Sequence, residues 1–134
     1  MPTAEPWGTL GDSVRLEVPA DPAMVRLARI TASSMLGRLG FTYDEVEDVR
    51  LAVDELCWAL AGPGTNVTSL TLVCTVLEDA VGFEGHVAPS DASGAVPALS
   101  PMTARILERL VDSYEVIPSN GSVGAGFRMV KRRS

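Results

Sequence analysis

Residues 42–60 read TYDEVEDVRLAVDELCWAL, and this stretch decides the fold class. Thr42 and Glu45 have the spacing of a capping box, in which each side chain accepts a hydrogen bond from the other residue's exposed backbone N–H at the start of a helix. The stretch then carries an apolar stripe at helical spacing, namely Val46, Val49, Val53, Leu56 and Leu60. We therefore predict an amphipathic helix that buries this stripe.

The same predicted helix is strongly acidic. Its acids are Asp44, Glu45, Glu47, Asp48, Asp54 and Glu55. Acidic side chains in the first turns are stabilised by the positive end of the helix dipole, which accounts for the first four. Asp54 and Glu55 lie too far along the helix for that explanation, so they are candidates for another role.

Patterns on both sides of this helix predict the remaining elements. Upstream, Val14, Leu16 and Val18 alternate with charged residues as in a half-buried strand, and Asp21-Pro22 opens a helix that ends near Gly40. Downstream, the sequence predicts strands at 68–77 and 81–87, a loop at 89–99, a helix that begins at Ser100-Pro101, and strands at 114–116 and 123–129 joined by a turn at Asn120-Gly121.

The resulting order, β-α-α-β-β-α-β-β, predicts the architecture. We expect an α/β protein of the α+β two-layer type, in which a mixed sheet of about five strands carries three helices on one face. Residues 1–12 are rich in Pro and Gly and predict a flexible tail. Residues 13–133 are expected to form a single domain.

Composition excludes several function classes. The chain has 11 Lys and Arg against 17 Asp and Glu, a net charge of −6, which argues against a general nucleic-acid or membrane-surface binder. The first residues lack the basic and apolar pattern of a signal peptide, so we expect a cytoplasmic protein. One His and two Cys are too few for a Cys/His zinc site, and Cys57 and Cys74 predict buried, reduced thiols.

A family resemblance supplies the function. Residues 49–60, VRLAVDELCWAL, resemble the helix that carries the first ATP-site motif in the anti-sigma-factor serine kinases of bacteria, which share the Bergerat ATPase fold of histidine kinases. Residues 16–22 and 104–112 are also similar to segments of that family. The resemblance implies a protein that sequesters a sigma factor, is released by an antagonist protein and works as a homodimer. Active members phosphorylate a serine of the antagonist with Mg-ATP.

The implied ATP site departs from the family pattern at three places. Active members carry a Glu, as base or orienting group, followed four residues later by an Asn that binds magnesium; here the pair is Glu55 and Ala59. The adenine-binding Asp-x-Gly-x-Gly is matched only loosely, by Asp91 and Gly94. The phosphate-binding Gly-x-Gly falls near residues 101–104, which contain Pro101 and no glycine.

These departures favour a non-catalytic or weakly nucleotide-binding regulator, in which Glu55 is catalytic only if the site is active and no metal site is expected. Two alternatives remain open. One is an ATP-dependent serine kinase with a reorganised site, and the other is a structural module that pairs with a catalytic homologue. The surface that binds a partner is not identified by the sequence.

Two basic groups are interpreted as solvated. Arg26, Arg29 and Arg38 predict the wet side of the first helix, although a partner contact is an alternative. Residues 131–133, KRR, predict a solvated tail.

Overall fold

The computed structural model describes residues 13–62, 65–89, 99–120 and 124–134. Its elements are, in chain order, β1 (Ser13–Pro19), α1 (Pro22–Arg38), α2 (Tyr43–Ala61), β2 (Ser69–Val76), β3 (Ala80–Ala88), α3 (Pro101–Leu110), β4 (Ser113–Ile117) and β5 (Gly126–Arg132). This is the predicted order. The tail predicted at 1–12 lies outside the described residues.

The helices begin and end at the residues that local chemistry selects. Asp21 caps α1 by accepting a hydrogen bond from a first-turn backbone N–H at 3.1 Å. In the capping box of α2, the Thr42 N–H donates to Glu45 Oε1 at 2.8 Å and the Glu45 N–H donates to Thr42 Oγ1 at 3.1 Å. Gly40 follows α1 with a φ of 85°, a left-handed conformation that glycine adopts without strain. Among the described residues, no helix combines the length and apolar character that crossing a bilayer requires.

The five strands form one sheet in the order β1-β2-β3-β5-β4. Every pairing is antiparallel, so the α+β class and the strand number are confirmed but the sheet is not mixed. The reason lies in the connection between β1 and β2, which contains two packed helices, α1 and α2. A second helix returns the chain to the end of the sheet where β1 finished, so β2 runs back along β1.

The helices cover one face of the sheet. α1 packs on β1 and β2, α2 on β3 and β5, and α3 beside β4. The stripe of α2 is buried as predicted at Val49, Val53, Leu56 and Leu60. It meets alternate, buried side chains of the strands, among them Leu70, Leu72, Phe83, Phe127 and Met129. The opposite face carries charged residues such as the Arg128–Glu84 pair, at 2.9 Å.

Of the basic residues at 131–133, only Lys131 departs from the predicted solvated tail. β5 extends through Arg132, so Lys131 lies in the sheet and its side chain packs against the helical layer, whereas Arg132 and Arg133 are exposed as predicted. Lys131 pairs with Asp48 at 3.2 Å and donates a hydrogen bond to the Leu110 carbonyl at 2.8 Å. A sequence pattern cannot show this, because Asp48 and Leu110 are distant in the chain.

Cys57 and Cys74 are free and buried, as predicted. Burial raises the pKa of each thiol to about 12, which leaves almost no reactive thiolate at neutral pH.

We expect both thiols to resist a maleimide reagent in the folded protein and to react fully in denaturant. Labelling of the native protein at pH 8 should be at least ~10³-fold slower than in concentrated urea, because the reagent reaches the thiols only when the core transiently opens. Mass spectrometry of timed samples measures this. Rapid modification of either cysteine in the native state would contradict its buried position.

Candidate functional site

Glu55 lies on α2 where that helix faces the start of α3. Its carboxylate is half-buried, and Oε1 accepts a hydrogen bond from the Thr103 hydroxyl at 3.2 Å. The two residues are 48 positions apart in the chain, and the fold brings them together because α2 and α3 pack side by side. Glu55 therefore links the two helices.

The first turn of α3 holds Thr103 in place. Ser100 is the N-cap of α3, and its Oγ accepts a hydrogen bond from the Thr103 N–H at 3.0 Å while it donates to Thr103 Oγ1 at 3.0 Å. The Tyr114 hydroxyl of β4 donates to the Ala104 carbonyl at 3.4 Å. Ser100, Thr103 and Glu55 form a continuous hydrogen-bonded chain from the cap of α3 to α2.

Ala59 lies one helical turn after Glu55, on the same side of α2, as the spacing of four residues requires. Its methyl group offers no oxygen to a metal ion. Magnesium binds oxygen ligands in octahedral geometry, so of this pair only Glu55 could contribute a ligand, and its carboxylate is already bonded to Thr103. The donor set of this turn does not fit the magnesium site that the family resemblance implies.

The start of α3 also offers little to a phosphate. Helix N-termini bind anions through free backbone N–H groups. Pro101 has no N–H, and the Thr103 N–H is bonded to Ser100, so of residues 101–103 only Met102 keeps a free one. None of residues 101–104 is a glycine that would let a phosphate approach the backbone.

The other two predicted site residues, Asp91 and Gly94, lie outside the described residues, and their contact with adenine stays a prediction. Of the predicted set, the structure therefore brings Glu55 and Ala59 together on one face of α2. That all four predicted residues together bind a nucleotide stays a hypothesis.

The sequence patterns do not predict the partners of Asp54 and Glu55 on α2. Thr103 was not predicted to contact Glu55, and nothing local in the sequence could have shown it. Arg29 was predicted to lie on the wet side of α1, but its side chain is only 22% exposed and pairs with Asp54 at 2.6 Å. The available signal was Asp54 itself, an acid that capping did not explain.

Comparison with known proteins identifies the family. No family model matches the chain. It is 41% identical over 138 aligned positions to the serine-protein kinase RsbW of Halalkalibacterium halodurans, and the match covers 90% of this chain and 85% of that protein. The chain belongs to the RsbW serine-protein kinase family. The resemblance to anti-sigma-factor kinases is thereby confirmed.

Other RsbW proteins match over shorter segments. The RsbW of Bacillus subtilis is 46% identical over 46 residues, which is 34% of this chain and 29% of that protein. The RsbW of a Bacillus cereus strain is 29% identical over 70 residues, or 51% of this chain and 44% of that protein. These matches span less than half of each relative, so they agree with the family assignment and show nothing about this chain's activity.

Proposed function

We propose that the chain is an anti-sigma-factor-type transcription regulator that sequesters a sigma factor, is released from it by an antagonist protein and transfers no phosphate. Membership of the RsbW family supports the regulatory role. The observation that carries the loss of catalysis is the turn from Glu55 to Ala59, where a methyl group stands at the position of the family's magnesium-binding Asn. Function by occlusion needs no nucleotide site.

The neighbourhood of Glu55 supports the same proposal. A general base must reach the proton it abstracts. Glu55 instead accepts a hydrogen bond from Thr103, which is itself fixed by the N-cap Ser100. Phosphoryl transfer depends on positioning and on neutralising the phosphate charge. Ala59 and Pro101 supply neither a metal ligand nor a backbone donor for that purpose.

Charge favours a sigma factor as the partner. The chain carries a net charge of −6. Sigma factors present basic surfaces to DNA, and complementary charge speeds encounter and suppresses wrong partners. A regulator of sigma factors acts in the cytoplasm, and that is the compartment we propose.

Binding to sigma factors tests the proposal. Each sigma factor and each antagonist encoded by the same genome would be immobilised and titrated with the chain by biolayer interferometry. We expect saturable binding to one sigma factor, weakened when the salt is raised from about 0.05 to about 0.3 M. The absence of binding to every sigma factor and antagonist would contradict the proposal. Binding only to a catalytic homologue would identify a pairing module instead.

An ATP-dependent serine kinase is the second candidate. The relatives are named serine-protein kinases, and Glu55 retains the acid of the family motif. Incubation with labelled ATP, magnesium and the antagonist protein separates the two functions. Label on an antagonist serine would establish the kinase, and its absence beside a positive control with an active RsbW supports the non-catalytic regulator.

Restoring the missing magnesium ligand is expected not to restore nucleotide binding. Ala59→Asn should change the affinity for Mg-ATP by less than about twofold, because Glu55 still accepts the Thr103 hydrogen bond and residues 101–103 still offer a phosphate only the Met102 N–H. Ala23→Asn, at an exposed position in the first turn of α1, is the matched control. A tenfold or larger gain for Ala59→Asn alone would show that the rest of the site is intact.

The remaining expectations belong to the same proposal. Residues 13–133 are proposed to act as one domain, and two copies are proposed to form a homodimer, as the family resemblance implies. Light scattering coupled to size exclusion measures the second expectation directly. A mass of twice that of the chain supports it, and the mass of a single chain contradicts it.

A further inference from the structure

A cavity of about 450 Å³ opens between α1, α2 and the segment before β2. Its walls come from the first half of α1 and the second half of α2, and the side of α2 that lines it carries Asp54, Cys57, Trp58 and Ala61. Glu55 and Ala59 point to a different side of that helix. The cavity is therefore separate from the candidate nucleotide site, and its volume falls in the range of small-molecule pockets.

The charged side chains that line this cavity include one positive group that is not paired with any acid that the structure describes. Arg29 and Asp54 pair at 2.6 Å and neutralise each other. Arg26 also lines the cavity, is exposed, and has no side-chain partner within the described part of the chain. A guanidinium is planar and binds a carboxylate through two parallel hydrogen bonds. Among the lining residues that the structure describes, Arg26 is thus the one open anion-binding group, and it lies at the edge of the cavity.

Apart from Thr65, the uncharged side chains of the lining are apolar and include an aromatic ring. Val25, Ala61 and Val67 contribute aliphatic surface. The side chain of Trp58 is 64% exposed and packs directly against Gly62, where an added Cβ would lie 3.2 Å from indole Cδ2. A large aromatic surface that stays open to solvent beside a cationic group is suited to stack on an apolar ligand.

We propose that this cavity binds a small molecule that carries one carboxylate on an apolar or aromatic body. Arg26 binds the carboxylate, and Trp58 with the aliphatic wall binds the body. Because Asp54 neutralises Arg29, the charged side chains described in the cavity sum to +1, which matches one carboxylate and not a multiply charged phosphate such as ATP. This site goes beyond the proposed function, because it uses neither Glu55 nor a protein partner.

Fluorescence of Trp58 tests the proposal. The chain has two tryptophans, so Trp7→Phe leaves Trp58 as the only indole. In that background, 4-phenylbutyrate should quench or shift the emission in a saturable way, and its uncharged amide should bind at least about fivefold more weakly. Arg26→Gln should weaken phenylbutyrate at least about tenfold. Arg26 is exposed, so this variant is expected to fold.

Arg38→Gln is the matched control, since it removes an exposed arginine from the other end of α1. It should leave the titration unchanged. The proposal is overturned by the absence of saturation, by equal binding of acid and amide, or by equal loss in the Arg26 and Arg38 variants. A response that depends on protein concentration would assign the cavity to a second copy of the chain and overturn it too. Tighter binding of ATP than of phenylbutyrate would also overturn it.

Discussion

Replacing Gly126 with alanine is expected to lower the free energy of unfolding by about 3 kcal/mol, near the upper end of overpacking costs. Gly126 begins β5 and lies opposite His86 of β3 and Ile117 of β4. A Cβ at this position would lie 2.3 Å from the Gly85 carbonyl oxygen and 3.1 Å from His86 Cβ. Because the nearest obstacle is backbone, the strands must separate for the methyl group to fit.

Gly37→Ala is the matched control for this prediction. Gly37 lies in α1, and a Cβ there would meet no atom within 4 Å. Alanine is the better helix former, so this change should raise the free energy of unfolding by about 0.5–1 kcal/mol. Urea unfolding of both variants measures the contrast. A loss below about 1 kcal/mol for Gly126→Ala would show that β3 and β5 are not this close.

Replacing Glu45 with alanine is expected to cost about 2 kcal/mol at pH 7, as loss of charge-assisted hydrogen bonds to a buried carboxylate does. Glu45 is 8% exposed. It accepts hydrogen bonds from the backbone N–H of Thr42 at 2.8 Å and of Ser134 at 2.9 Å. The Glu45 side chain therefore joins the start of α2 to residue 134, beyond β5. In the alanine variant the Thr42 and Ser134 N–H groups lose this acceptor.

The pH dependence gives this prediction a sign. The Thr42 N–H foremost, and then the Ser134 N–H, lower the pKa of Glu45 from 4.5 to about 2. Ionised Glu45 therefore stabilises the fold fully above pH 4.5, and that stabilisation is lost as the pH falls through 2. The difference between wild type and Glu45→Ala, measured by urea unfolding, should narrow steadily over this interval.

Glu47→Ala is the control that distinguishes the loss of the buried Glu45 hydrogen bonds from the loss of an ordinary surface acid. Hydrogen bonding to Arg50 also lowers the pKa of Glu47, but the pair lies on the helix surface at i,i+3 spacing. Removing the Glu47 side chain should therefore lower the free energy of unfolding much less than removing the Glu45 side chain does. Equal losses of unfolding free energy in the Glu45→Ala and Glu47→Ala variants would contradict the stabilising role of the Glu45 hydrogen bonds.

Local chemistry made much of the fold predictable. The capping box at Thr42 and Glu45 and the cap at Asp21 involve groups three residues apart, so their partners stand beside them in the sequence. The apolar stripe of α2 was predictable for the same reason, because its period belongs to one helix. The element order followed from such local signals.

The features that the sequence patterns do not predict depend on contacts between residues that are distant in the chain. The antiparallel sheet depends on how α1 and α2 turn the chain between β1 and β2. The Arg29–Asp54 pair joins two helices, and Thr103 reaches Glu55 across 48 residues. The absence of the family's Asn was visible at Ala59, but the hydrogen bond that occupies Glu55 was not.

Calorimetric titration with ATP, with and without magnesium, tests the loss of the Mg-ATP site most directly. The proposed regulator has no magnesium ligand at Ala59, and its Glu55 is bonded to Thr103. We predict a flat trace under both conditions. Heat release that fits micromolar affinity and depends on magnesium would establish a working nucleotide site and contradict the loss of that site, on which the non-catalytic proposal rests.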